Sequence, residues 1–239
     1  MEKIAEYIRK NTKQVGIGLE TNQVEKFVKF YQMVIEENKK VNLTRIVEPM
    51  EFAIKHIVDS LLVLKAGIPI GQSGIDIGSG AGFPGIPIAI TQPTQRIVLV
   101  DSLAKRVRFL DSVKNELDLG KVEVVHARAE DLAHENHYRE KFDWVTARAV
   151  ASLPSLLELC TPFVKVGGVF LAMKGQNVDE EIASAAKVCK LLGVVQEEVF
   201  QFKLPEEMGE RILILFRKIG ATDNKYPRKP NLIKKNPLG

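Results

Sequence analysis

Residues 74–90 read GIDIGSGAGFPGIPIAI, in which Gly80, Gly82 and Gly85 fall at the spacing G-x-G-x-x-G. Glycines so placed, after a short β-branched run and before a helix, let the backbone turn tightly and approach a ligand closely. An acid, Asp76, lies inside the apolar run just before them. A second acid, Asp101, closes the next apolar run, 97–100, and is placed to hold ribose hydroxyls. After a third such run, the stretch Ala127-Arg128-Ala129-Glu130-Asp131 offers a backbone amide and an acid to the edge of an adenine.

Taken alone, the glycine spacing fits a nicotinamide dinucleotide, or merely a close helix–strand packing turn. Asp76 tips the balance. A carboxylate would sit poorly beside a pyrophosphate but well near a cation. S-adenosylmethionine, positive at sulfur and free of phosphate, suits that electrostatic setting. Two further cations, Arg148 at the end of a fourth apolar run and Lys174 beside Gly175 at the end of a fifth, are candidates for positioning a substrate.

These residues depend on the elements that carry them. Short apolar runs at 75–77, 97–100, 122–125, 143–146 and 169–173 alternate with helical patterns near 84–91, 103–118, 152–165 and 178–192. That alternation predicts a parallel sheet with helices on both faces. The last two strands, 194–202 and 212–217, have no helix between them and should form an antiparallel pair at the sheet edge. Residues 1–66 read as a helical segment packed on the core. One helix follows a Thr21 N-cap, and another follows Pro49 with His56, Asp59 and Ser60 turned away from its apolar stripe. Residues 67–220 would form the ligand-binding domain, and 221–239 a basic, proline-bearing tail expected to be extended.

The 239 residues are 45% hydrophobic and 27% charged with a net charge of +4, a globular composition whose mild basic excess permits an anionic partner, met through a patch, without demanding one, since solubility alone explains it. Cys160 and Cys189 lie in apolar helical patterns and read as buried, inert thiols. His126, His134 and His137 show no ligand spacing, so no metal is expected. With no signal peptide and no apolar run of membrane-spanning length, the expected setting is the cytoplasm, away from membranes, as a monomer.

Several short motifs combine into a more specific pattern. They are Asn42-Leu43-Thr44, His56-x-x-Asp59-Ser60, the run 76–87, Val100-Asp101-Ser102 with Lys105-Arg106, Ala127-Arg128-Ala129-Glu130, Ala147-Arg148-Ala149 and the run 226–230. Together they resemble the bacterial 16S rRNA guanine-N7 methyltransferases, the RsmG or GidB family. Asn231 departs from the pattern, since many members have glycine there. The resemblance implies a Rossmann-like class I S-adenosylmethionine-dependent fold, with a mostly parallel seven-stranded sheet, an antiparallel last strand and a helical N-terminal segment. It implies methylation of N7 of a guanine in the 530 loop of 16S rRNA, presented naked, as a precursor or within the 30S subunit. Carried over by motif, Gly78, Phe83, Ala129, Glu130 and Arg148 line the cofactor site; the residues' own pattern adds Asp76, Gly80, Gly82 and Asp101.

N7 carries a free in-plane lone pair, so alignment with the methyl donor suffices without a general base. Thr146-Ala147-Arg148-Ala149 stands where amino-group methyltransferases carry an Asp/Asn-Pro-Pro-aromatic loop, and Cys160 lacks the Pro-Cys context of a cytosine-C5 nucleophile. Arg148 is expected either to pair with an acid or to orient guanine O6 or a phosphate, because donation to N7 itself would block the lone pair. Asn42, His56, Lys105, Arg106, Arg128, Arg228 and Lys229 are the candidate RNA contacts; the competing readings are a solvated charged face for the basic ones, a capped polar helix face for His56 and local backbone hydrogen bonding for Asn42. A nicotinamide-dependent oxidoreductase and a non-catalytic RNA-binding protein are the alternatives.

Overall fold

The strands are β1 (Gly74–Ile77), β2 (Ile97–Asp101), β3 (Val122–His126), β4 (Phe142–Arg148), β5 (Val164–Lys174), β6 (Val194–Lys203) and β7 (Glu210–Lys218). They form one sheet in the order β3-β2-β1-β4-β5-β7-β6, in a computed structural model that describes residues 1–69, 72–148, 151–176 and 178–238. Neighbours from β3 to β5 run parallel, whereas β7 is antiparallel to both β5 and β6. Strand order reverses between β1 and β4, and an open sheet has its ligand crevice beyond the carboxyl ends of the strands there. Ala149, in the motif that follows β4, lies outside the described residues.

The helices are α1 (Glu2–Gln14), α2 (Thr21–Asn38), α3 (Pro49–Phe52), α4 (Asp59–Leu61), α5 (Gly85–Thr91), α6 (Ala104–Glu116), α7 (Ala129–Leu132), α8 (Leu153–Cys160), α9 (Asp179–Leu192) and α10 (Pro230–Lys235). Successive strand residues point to opposite faces. Ile97 and Leu99 therefore join a core with α1, α2, α5 and α6, while Val98 and Val100 join another with α8, α9 and Ile233 of α10. The N-terminal segment thus supplies part of the cover of one sheet face. No helix among the described residues is long and apolar enough to cross a membrane.

Four local expectations change. Thr21 is the first helical residue rather than the cap; Glu20 caps α2, with Gln23 closing a capping box. The stretch 152–165 is helical only to Cys160, after which a 3-10 turn leads straight into β5 at Val164. The tail is not wholly extended: Pro230 begins α10, where its fixed φ suits a first helical turn, and Ile233 is buried. Arg139 holds the preceding tail by donating to the carbonyls of Thr222, Asp223 and Tyr226.

The fourth concerns His56, Asp59 and Ser60. Between α3 and α4 the chain makes a π-helical turn, Ala53–Val58. A wider turn rotates each residue by less than the 100° of an α-helix, so the expected polar face is not turned away. All three side chains are buried.

Candidate active site

The turn after β1 is built from the protein's own amides. Gly78 and Ser79 N–H both donate to the carbonyl of Val100 on β2 (2.9 and 3.0 Å). Gly80 N–H donates to Asp101 Oδ2 at 2.9 Å, and Leu103 N–H to Asp101 Oδ1 at 2.9 Å. Asp76 faces inward, not toward a ligand. Its Oδ2 accepts from Gly85 N–H at 3.2 Å and its Oδ1 from Thr146 Oγ1 at 3.3 Å, tying the start of α5 to β4. Complete burial pushes the Asp76 carboxyl up to about 6, against the pull of these hydrogen bonds and of Arg148.

The glycines divide by role. A Cβ on Gly85 would lie 2.2 Å from Leu99 Cδ2, so this glycine lets α5 close on the sheet. Gly80, at φ +61°, would meet nothing nearer than a carbonyl of its own loop at 3.9 Å. That side of the loop is open, as an approaching ligand requires. Gly82 closes the turn beside Ile86, and Phe83 is buried beneath it.

This arrangement fits an adenosine-bearing cofactor. Each carboxylate oxygen can accept about two hydrogen bonds. Asp101 Oδ2 also meets Arg106 at 3.4 Å, whereas Oδ1 holds only the Leu103 amide among the described residues and can accept one bond more. Ala129 and Glu130 open α7, where the first amides have no helical partner. Arg128 and Lys105 are exposed nearby.

Across the reversal point from this loop stands Arg148, at the end of β4. Its Nη1 donates to Asp59 Oδ2 (3.2 Å) and to the Lys55 carbonyl (3.3 Å), and its Nη2 to His56 Nδ1 (3.4 Å). Burial draws the guanidinium below the usual arginine value, opposed by Asp59 and Asp76. Asp59 Oδ1 accepts a second guanidinium, Arg211 Nε, at 3.1 Å. Because Arg148 donates to Nδ1, His56 is the Nε2–H tautomer and donates to Thr44 Oγ1 at 2.8 Å. Burial first, and then Arg148, press the imidazole down to about 3, so it is neutral at pH 7. Its ring stacks on Phe83 at 4.3 Å and 12°, and the Arg148 guanidinium lies 5.0 Å from the same ring. Phe83 is thus a platform under His56 and Arg148.

A cleft of about 330 Å³ opens beside this cluster, with Ile46, Asp59, Arg148, Met173, Lys174 and Arg211 in its lining. Lys174 bridges to Glu181 Oε2 at 2.8 Å and donates to the Ala151 carbonyl at 3.1 Å.

Residues 23–210 match the GidB family, described as rRNA small subunit methyltransferase G. The chain belongs to that family. The ribosomal RNA small subunit methyltransferase G of Pelotomaculum thermopropionicum is 45% identical over 240 residues, covering 100% of both chains. That of Desulfitobacterium hafniense is 47% identical over 230 residues, 96% of this chain and 95% of the relative. In fold, the chain is similar to M. jannaschii TYW2, solved in complex with AdoMet, with a TM-score of 0.53 at 15% identity, over 79% of this chain and 77% of that one. The resemblance carried by the motifs therefore holds for the family and for the class I methyltransferase fold.

Against that family pattern, the candidate RNA contacts separate. Asn42, Lys105, Arg128 and Lys229 are exposed. His56 is only 6% exposed and faces Arg148. Arg106 leans on Asp101. Arg228 turns into the protein, where its amide, Nε and Nη2 all donate to the fully buried carboxylate of Glu158 at 2.8 Å. Arg211 was missed because nothing in a β7 pattern marks it. A signal for Glu158 did exist: a lone acid in the apolar run 153–160 needs a cation.

Proposed function

We propose that this protein transfers a methyl group from S-adenosylmethionine to N7 of a guanine in the 530 loop of 16S rRNA. The glycine loop, Asp101 and the first amides of α7 hold the cofactor, which supplies an electrophilic methyl on a positive sulfur. Arg148, fixed by Asp59 and His56, holds the guanine end of the crevice and offers positive charge to an RNA carbonyl or phosphate. Lys174 positions the same substrate from β5.

The observation that carries this reading is the state of the titratable groups around the cleft. His56 has both ring nitrogens engaged and resists protonation. Asp59 holds two guanidinium groups, and Asp76 is turned away beneath the loop. Among the described residues lining the cleft, none is a free base. A reaction at a nucleophile with its lone pair already exposed is the one such a site serves, since it needs alignment and no proton removal.

The test is methylation of naked 16S rRNA and of 30S subunits, with mapping of 7-methylguanosine, by the wild type and Arg148→Ala. The variant should lose at least ~100-fold in rate while retaining most of its thermal stability, because Asp59 stays paired to Arg211. Equal loss of rate and stability would remove Arg148 from the substrate role. Calorimetry with S-adenosylhomocysteine and NADH adds a second arm, in which binding of NADH alone overturns the cofactor.

A further inference from the structure

We propose that Arg211 reads the O6 carbonyl of the target guanine through Nη2, and that this contact selects guanine over adenine. The proposal rests on the guanine-N7 reading above and names how that site chooses its base.

Arg211 is the second residue of β7, one position before the Ile212 that pairs with Lys174 of β5. It therefore lies at the sheet end where the crevice opens. Most cations of the cleft are already engaged. Lys55 is bound to Glu51 at 2.6 Å, Lys174 to Glu181 and a carbonyl, and both terminal nitrogens of Arg148 to Asp59, His56 and the Lys55 carbonyl. Arg211 is anchored on two sides only, with Nε on Asp59 at 3.1 Å and Nη1 on the Glu210 carbonyl at 2.9 Å. Those two bonds fix the plane of the guanidinium, and its Nη2 has no partner among the described residues.

Of the five guanidinium N–H groups, Nε–H and one on Nη1 are taken, so the donors left to a substrate centre on Nη2. Arginine commonly grips guanine with two parallel bonds, one to O6 and one to N7. That fork would cover the lone pair that must receive the methyl group. With Nε held by Asp59 and Nη1 by Glu210, the Nε edge of the guanidinium is closed to a base, and Nη2 can serve O6 while N7 is turned to the methyl donor. Adenine presents an amino group in place of O6, so the same position would set donor against donor. Ile46 and Met173, in the lining of the same cleft, offer an apolar surface to the face of an unstacked base. Asp59 thereby acquires a purpose beyond charge balance: it aims one guanidinium and holds another.

The test is a cycle of two proteins and two bases. The full-length wild type and Arg211→Ala are assayed on ligated 16S rRNA, free or assembled into 30S, carrying guanine or 2-aminopurine at the methylated position. 2-Aminopurine keeps N7 and lacks O6. The wild type should be slower on 2-aminopurine by ~10–100-fold, the range for a hydrogen bond to a charged group. Arg211→Ala should be slow on both bases alike, with unchanged S-adenosylhomocysteine affinity, and Arg211→Lys should keep part of the preference. A wild type indifferent to the base, an alanine variant that keeps the preference, or one that loses S-adenosylhomocysteine binding each overturns the proposal. If the wild type methylates no guanine in either form of the RNA, the parent reading fails, and this one with it.

Discussion

Asp59 and Arg148 are 89 residues apart in sequence and 3.2 Å apart in the folded chain. The contact joins the helical N-terminal segment to the end of β4, and Arg211 brings β7 to the same carboxylate. Residues from three parts of the chain thus form one charged cluster, almost closed to water on the Asp59 side.

Asp59→Ala should be strongly destabilising. Removing the shared acid leaves two guanidinium groups facing each other in a partly buried cleft, and breaking a buried pair costs about 3–5 kcal/mol. Asp59→Asn keeps an acceptor and should cost less. Urea unfolding of both variants measures the difference, and a loss below about 1 kcal/mol for the alanine would contradict the structural weight given to Asp59.

Two glycines of the loop should respond in opposite ways. Gly85→Ala forces a methyl group into Leu99 and should lower stability by about 1–3 kcal/mol. Gly80→Ala meets open space. It should fold with a smaller loss, from its positive φ, yet bind S-adenosylhomocysteine at least ~10-fold more weakly because the new Cβ enters the cofactor's space. Paired melting and calorimetry separate the two effects.

Arg228 and Lys229 are adjacent and should behave unlike each other. Arg228→Ala strands the buried Glu158 carboxylate and should cost about 3–5 kcal/mol. Lys229→Ala should leave the melting temperature unchanged and lower the slope of RNA affinity against salt by about one released counterion. A salt-slope change confined to Arg228→Ala would reverse the assignment.

The pH dependence of stability should carry two opposing contributions. The folded Asp76 carboxyl titrates near 6 rather than the usual 3.8, so between those values the folded chain holds a proton that the unfolded chain has released. Asp76 therefore costs stability as pH rises through that window, by roughly 3 kcal/mol at completion. His56 works the other way. It resists protonation to about 3, whereas the unfolded side chain protonates near 6.5, so stability falls as pH drops from 6.5 toward 3. Asp76→Asn should flatten the loss between pH 4 and 6, and His56→Gln should flatten the acid limb. Unfolding curves taken from pH 4 to 8 distinguish them.

The parallel sheet was readable because its central strands β1, β2 and β4 are apolar runs buried on both faces, a pattern that survives without tertiary information. The turn after β1 was readable because its glycine spacing and its tie to Asp101 are local, within 28 residues of β1's start, whereas Asp76, expected near a cationic ligand, turns inward onto Gly85 and Thr146. What stayed hidden depends on long-range pairing. Arg211 finds Asp59 across 152 residues, and Arg228 finds Glu158 across 70. The π-helical turn defeated the facing of His56 and Asp59 because helical-wheel reasoning assumes a constant rotation per residue. Sequence periodicity placed the correct residues on the right element but on the wrong side of it.

The three-way cluster also has a consequence in time. A ribosome makes Asp59 early, Arg148 after the first four strands, and Arg211 only within the last thirty residues of the chain. Until that last arginine arrives and β7 slots between β5 and β6, the crevice lacks a wall and the shared carboxylate one of its two partners. A polypeptide released too soon would therefore be inert toward RNA. The contacts that shape the pocket thus include some of the last to be made.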